Sequence, residues 1–164
     1  MRAWTAAAGL AMACSQPVDE HPSPPSITEY DLRFPSTAVA VATESVQVMV
    51  FDASVPGADC LSLATARQSG VDLPASPVLL ADTGAQPICT LTQGQGTLEV
   101  SYGLRSFFAV SQRQGQDFFF GCTQTDLEAD NPPVDVWLAE AKVGTTVPVT
   151  TCLTLSQKCG GSGC

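Results

Sequence analysis

The stretch FFAVSQRQGQDFFFGC, residues 107–122, decides the fold class of this chain. Its two aromatic-rich runs flank a short polar turn, residues 113–117, that contains a glycine. Two apolar runs around such a turn are typical of a β-hairpin. Neighbouring side chains of a strand point to opposite faces, so if Phe118 and Phe120 enter the core, Phe119 points away from it.

The same two-residue period extends to other parts of the chain. Apolar residues alternate along 46–51, 98–102 and 134–138, which predicts three further strands. Weaker strand patterns lie at 30–34, 87–91 and 147–155. This number of short strands with turns between them predicts an all-β protein, an antiparallel β-sandwich. In its pattern of strands the body resembles an immunoglobulin-like or transthyretin-like sandwich.

One short helix interrupts the strands. Asp59 is a suitable N-cap, Cys60 to Gln68 can form the helix, and Gly70 can end it. The run from Thr37 to Thr43 fits either a strand or a helix.

The cysteines indicate a disulfide-stabilised, exported chain. Seven are present, an odd number: 14, 60, 89, 122, 152, 159 and 164. Without Cys14, six remain for three disulfides, although six cysteines allow 15 pairings. We favour Cys159–Cys164, because the glycine-rich loop between them bends freely, which leaves Cys60, Cys89, Cys122 and Cys152 to tie the body. Zinc is less expected, because the cysteine spacings do not suit it and the only histidine is His21.

The N-terminus carries the parts of an export signal, with a charged start and an apolar stretch of small residues before Cys14. Leu10-Ala11-Met12-Ala13-Cys14 resembles the lipobox of bacterial lipoproteins. The resemblance implies that residues 1–13 are a signal peptide, that Cys14 receives acyl chains such as palmitate, and that Cys14 becomes the first mature residue. Ser15, in place of aspartate, implies transfer to the outer membrane. Two alternatives remain: ordinary signal cleavage near Ala13, which gives a periplasmic or secreted protein, and a cytosolic chain with an apolar N-terminus.

These patterns divide the chain into four predicted segments. Residues 1–13 are the signal peptide, and 14–26 are the lipidated cysteine with a proline-rich tether. Residues 27–155 form the sandwich domain, and 156–164 form a tail rich in cysteine and glycine. Prolines favour an extended tether, and His21 is expected to be a solvated residue within it.

The charge balance restricts the partners. With 7 basic and 16 acidic residues, the formal net charge is −9. Nucleic-acid binding needs a basic surface, so we expect no nucleic-acid partner. Electrostatic docking on anionic lipid is disfavoured for the same reason, and we expect membrane attachment through the acyl chains on Cys14.

Candidate functional residues are few. No catalytic residues are expected, since histidine-dependent triads need a histidine on the scaffold and His21 lies in the tether. Asp126, Glu128 and Asp130 are a weak candidate for calcium, because acids at alternate positions of a loop offer oxygen ligands. Phe119 and Trp137 are outward-facing aromatics, which are either covered by another segment or form an exposed binding patch.

We therefore expect a lipid-anchored envelope protein that acts as a binding or structural module, without catalysis and without a cofactor. Its partner would be an envelope protein or a glycan. Two alternatives remain: an exported hydrolase or calcium-dependent enzyme that uses the acidic loop, and a secreted, unlipidated, inhibitor-like domain.

Overall fold

The computed structural model describes residues 26–91 and 94–161. The strands are β1 (Ser26–Arg33), β2 (Ser45–Asp52), β3 (Leu79–Asp82), β4 (Gln86–Pro87), β5 (Gln95–Val100), β6 (Gly103–Arg113), β7 (Gln116–Leu127), β8 (Val134–Trp137) and β9 (Ala139–Glu140). The helices are α1 (Thr37–Ala42), α2 (Cys60–Gln68) and α3 (Leu155–Cys159), with a 3₁₀ turn at Ile88–Thr90. This architecture confirms the predicted β-sandwich.

The strands form two sheets. The smaller sheet has the order β5-β1-β8, and the larger has the order β3-β2-β6-β7-β9, with β4 also paired to β2. The β1–β8 pair is parallel. The other strand pairs among the described residues are antiparallel. Only Leu138 separates β8 from β9, so the chain passes directly from the small sheet to the large one and closes one side of the sandwich.

The predicted hairpin is present as β6 and β7, with a tighter turn than the sequence indicated. Gln114 and Gly115 connect the strands and both have positive φ, 52° and 70°. Two-residue turns with positive φ at both positions match the right-handed twist of the flanking strands. Residues 113, 116 and 117, assigned to the turn from sequence, belong to the strands.

A bulge near this turn changes which way the phenylalanines face. Ser111 pairs with Phe119 and Gln112 pairs with Asp117, so Phe118 is an extra residue in β7. Phe118 and Phe119 therefore pack in the same core, with ring centroids 4.7 Å apart, while Phe120 packs in another. The prediction that Phe119 points away from the core is wrong, because its side chain is only 2% exposed.

The large sheet is covered on both faces. The core between the two sheets includes Tyr30, Val48, Val50, Phe107, Phe119 and Val136. The opposite face packs beneath α2 and includes Met49, Phe51, Leu63, Phe108, Val110 and Phe120. Strand β2 contributes to both cores, with Val46, Val48 and Val50 between the sheets and Met49 and Phe51 beneath α2.

The helix predicted over residues 60–68 is confirmed. The Asp59 side chain accepts a hydrogen bond of 3.0 Å from the backbone N–H of Ser62, as an N-cap does. The ambiguous run at 37–43 forms helix α1, which Ser36 caps. The third helix, α3, begins at the end of the stretch 147–155, where the sequence predicted a strand and the structure has none. The other weak prediction, at 87–91, is mostly a 3₁₀ turn.

Two disulfides fasten the helices to the sandwich. Cys60–Cys122 joins α2 to β7, and Cys89–Cys159 joins α3 to the 3₁₀ turn. The favoured Cys159–Cys164 bridge is therefore wrong, since Cys159 pairs with Cys89. Cys152 is also disulfide-bonded.

The segment predicted as a tail is thus partly docked on the body. Besides its disulfide, α3 contributes Lys158, whose Nζ donates hydrogen bonds to the carbonyl oxygens of Val41 (2.7 Å) and Thr43. These carbonyls lie at the C-terminal end of α1, where a cation is favourable.

Residues 1–13, which we predicted to be a signal peptide, lie outside the described residues, as do Cys14, Ser15, His21 and Cys164. Within the part of the chain that is described, no helix is long and apolar enough to cross a bilayer.

Candidate functional site

Trp137 is exposed at the end of β8. Its side chain is 66% exposed, and it is the one aromatic among the large exposed hydrophobic side chains of the described residues. Along β8, Val134 and Val136 are buried while Asp135 and Trp137 face outward. This confirms the orientation that the alternating sequence predicted for Trp137.

The backbone beneath Trp137 is held from both sides. On one side, β1 pairs Arg33 with Trp137, and the backbone N–H of Leu138 donates to the carbonyl of Arg33 at 2.9 Å. On the other side, Thr123 Oγ1 donates to the carbonyl of Asp135 at 2.6 Å. The indole ring therefore projects from a fixed strand, which lowers the entropy lost when a partner covers it.

Strand β7 approaches β8 closely because of a glycine. A Cβ on Gly121 would lie 1.9 Å from the carbonyl oxygen of Trp137. Only glycine fits at this distance, so Gly121, which follows the aromatic run, permits the contact between β7 and β8.

A cleft of about 390 Å³ lies beside the Trp137 ring. Its size falls within the range of small-molecule sites. The lining includes an aromatic residue, two prolines, two threonines, an asparagine and an aspartate: Trp137, Pro132, Pro133, Thr123, Thr125, Asn131 and Asp135. No basic side chain is among the described residues that line it.

Arg33 sits between two carboxylates at the edge of this cleft. Its Nε is 2.9 Å from Asp135 Oδ1, and its Nη2 is 3.0 Å from Asp31 Oδ2. Arg33 and Asp135 are each nearly half exposed, so the pairs contribute little to stability. Their effect is local, because the charge of Asp135, the carboxylate that lines the cleft, is partly offset by Arg33.

The acidic loop does not form the calcium site considered from sequence. Asp126, Glu128 and Asp130 are exposed. Asn131 closes the loop instead, since its Oδ1 accepts from the Glu128 N–H and its Nδ2 donates to the Asp126 carbonyl, both at 3.1 Å. The described part of the chain contains no group of three His, Cys, Asp or Glu residues that could hold a metal ion.

A larger groove of about 500 Å³ lies between α1 and α3. Its mostly apolar lining includes Phe34, Thr37, Ala40, Leu91, Leu155 and Cys159. Two of these lining residues, Leu91 and Cys159, lie close in sequence to residues 92–93 and 162–164, which the structure does not describe. The cleft at Trp137, whose lining is described completely, is therefore the candidate site.

Several titratable groups with shifted pKa values lie in contacts within the fold and not in the cleft. The side-chain hydrogen bond from Arg67 lowers the pKa of Asp117, and the Ser54 hydroxyl lowers that of Asp52. Burial lowers the pKa of Lys158 and raises that of Tyr30. Each of these residues lies outside the lining of the Trp137 cleft.

The sequence predictions included only Trp137 of this cleft. They missed Pro132, Pro133 and Asp135, and they missed Thr123 and Thr125 because these lie on β7, which meets β8 only in the folded chain. Pro132 and Pro133, directly before β8, were the one local sequence signal near this cleft.

No protein-family model matches the chain, and no curated protein or solved structure matches it. The class of the protein therefore rests on its own features: a disulfide-stabilised β-sandwich with an aromatic cleft on its closed side.

Proposed function

We propose that this is a lipid-anchored envelope protein whose sandwich domain binds a partner through the Trp137 cleft. Cys14 is the attachment point in this proposal, and residues 15–26 connect it to the domain. The observation that carries the binding role is the 66% exposure of Trp137 on a strand held from both sides.

The environment of the protein is supported by its disulfides. Cys60–Cys122 and Cys89–Cys159 join segments more than 60 residues apart in sequence. Disulfides persist in oxidising compartments and are rare in the cytosol. They agree with export, as the N-terminal sequence predicts.

The binding role is supported by the chemistry of an exposed tryptophan. Tryptophan is enriched among the residues that dominate binding energy. A large aromatic left in water lowers solubility unless it is covered in use. The nearby cleft and the fixed backbone give this ring the properties of a binding anchor.

A co-sedimentation experiment tests the binding role. All variants of the full chain carry Cys14→Ser, which removes the lipid, and are mixed with isolated cell envelopes. We expect Trp137→Ala to weaken binding by about tenfold or more, the loss typical of a hot-spot residue. Its melting temperature should stay close to that of the parent, because the side chain is mostly exposed.

Leu153→Ala is the matched control, since Leu153 is 75% exposed and lies outside the cleft. It should bind as the parent does. Equal binding by the parent and Trp137→Ala would overturn the proposed function.

A further inference from the structure

We infer that the ligand of the Trp137 cleft is a neutral glycan. This inference rests on the proposed function, which concerns the same site, and it adds the chemical class of the ligand.

The charges around the cleft select against ions of either sign. No basic side chain among the described residues lines the cleft to attract an anion, and the whole chain has a net charge of −9. A cation would meet a carboxylate that already has Arg33 Nε at 2.9 Å, so it would have to displace or face that guanidinium. A neutral ligand avoids both costs.

The surface of the cleft fits a molecule with one apolar face and a polar edge. The Trp137 ring is a flat apolar surface, and Pro132 and Pro133 add two small apolar rings. The hydroxyl of Thr125 and the carboxylate of Asp135 stand beside them. A pyranose ring has a face of C–H groups that packs on an aromatic ring and a rim of hydroxyl groups that donate and accept hydrogen bonds.

Other neutral ligands fit less well. A wholly apolar molecule would cover the Thr125 hydroxyl and the Asp135 carboxylate without offering them hydrogen bonds, which costs free energy. Proline-rich peptides dock in grooves lined by several aromatic side chains. Here the lining includes a single aromatic residue, Trp137.

The residues have separate roles in this arrangement. Trp137 supplies the platform, and Thr125 and Asp135 supply hydrogen bonds to ligand hydroxyls. Thr123 is a positioning residue, because its hydroxyl donates to the backbone carbonyl of Asp135.

Fluorescence titration provides a direct test. The chain has two tryptophans, and Trp4 lies in the predicted signal peptide, so the protein without residues 1–13 has Trp137 as its only indole. The probes are cellotetraose, chitotetraose and maltotetraose. We expect at least one to change the Trp137 emission saturably, and tetragalacturonate, an anionic sugar, to bind at least about tenfold more weakly.

Calorimetry with the sugar that binds then tests the named side chains. Thr125→Val and Asp135→Asn should each weaken binding by about fivefold to tenfold, the loss of roughly one hydrogen bond. Thr151→Val, at an exposed threonine outside the cleft, should bind normally. Equal affinity of all three variants would overturn the assignment.

The remaining outcomes separate this inference from the proposed function. If none of the three neutral sugars binds, the glycan inference is wrong, whatever the envelope experiment shows. If decaproline changes the Trp137 emission and the sugars do not, the ligand is a peptide and the binding role stands. If envelope binding is independent of Trp137, the proposed function itself fails.

Discussion

Gly121 shows how a single residue determines the geometry of the candidate site. A Cβ at this position would lie 1.9 Å from the carbonyl oxygen and 2.6 Å from the carbonyl carbon of Trp137. Both are backbone atoms of β8, so the contact cannot be relieved by rotating a side chain. Any larger residue must push β8 away from β7.

The prediction at this scale is that Gly121→Ala destabilises the fold by about 1–3 kcal/mol, as overpacking of a close contact does. The shift of β8 should also weaken partner binding, although the Trp137 side chain itself is unchanged. Chemical denaturation measures the first effect and envelope co-sedimentation the second. Gln124→Ala, at an exposed position of the same strand, should change neither. A fully stable Gly121→Ala would mean that β8 does not need this approach.

Helix α2 shows how an element with a small apolar face is held in place. Leu63 is its one fully buried residue. The helix is fastened by the Cys60–Cys122 disulfide at its first residue and by Arg67 in its last turn. Arg67 donates to both carboxylate oxygens of Asp117, at 2.6 and 2.7 Å. Such bidentate pairs are the stronger kind of ionic hydrogen bond.

The Arg67–Asp117 pair gives the fold a pH dependence of known sign. The hydrogen bond from Arg67 holds the pKa of Asp117 below its ordinary value. The stabilisation is therefore fully present above the pKa of an unfolded-chain aspartate, about 4, and is lost as the pH falls through the lower folded-state pKa. We expect Asp117→Asn to lower the free energy of unfolding at pH 7 by about 1–2 kcal/mol.

The measurement is urea denaturation at a series of pH values. The stability gap between the parent and Asp117→Asn should narrow as the pH falls below about 4. Asp130→Asn, at an exposed loop aspartate, should follow the parent at every pH. A gap that is constant with pH would show that the carboxylate charge is not the source of the stabilisation.

Elements with strong local signals were predictable from the sequence, and elements that depend on distant contacts were not. The period of β2, the hairpin of β6 and β7, and the caps of α2 are all local features. The burial of Phe119 beside Phe118 depends on a bulge, and the burial of Phe120 depends on the second core under α2, neither of which a local pattern reveals. The cleft follows the same rule: the outward orientation of Trp137 follows from alternation, whereas the neighbouring Thr123 and Thr125 are brought there by the approach of two strands.

At the scale of the whole molecule, the ends of the described chain are fixed differently. The last helix, α3, is tied to the body by Cys89–Cys159 and by Lys158. The first strand, β1, is the middle strand of the small sheet, paired with β5 on one side and β8 on the other. In the proposed function, the anchor at Cys14 is therefore connected through residues 15–25 to a strand with two partners.

The anchor itself yields a prediction about the intact protein. Cys14→Ser should move the full chain from the detergent phase to the aqueous phase in detergent partitioning, because the acyl chains supply the membrane affinity. Cys152→Ser is a useful comparison, since it also removes one cysteine but leaves the lipidation site. It should remain in the detergent phase if it accumulates, and a wild-type chain in the aqueous phase would contradict the lipoprotein proposal.

The parallel pairing of β1 and β8 has a mechanical consequence. Under the proposed function, tension would enter at the N-terminal end of β1 and leave through a partner held at Trp137, which is level with Arg33 at the opposite end of that strand. The two strands would then be pulled along their length in opposite directions. Their backbone hydrogen bonds share such a load in shear, whereas bonds that are peeled apart break one after another. The domain would accordingly resist force best along the line that joins its membrane anchor to the partner bound at Trp137.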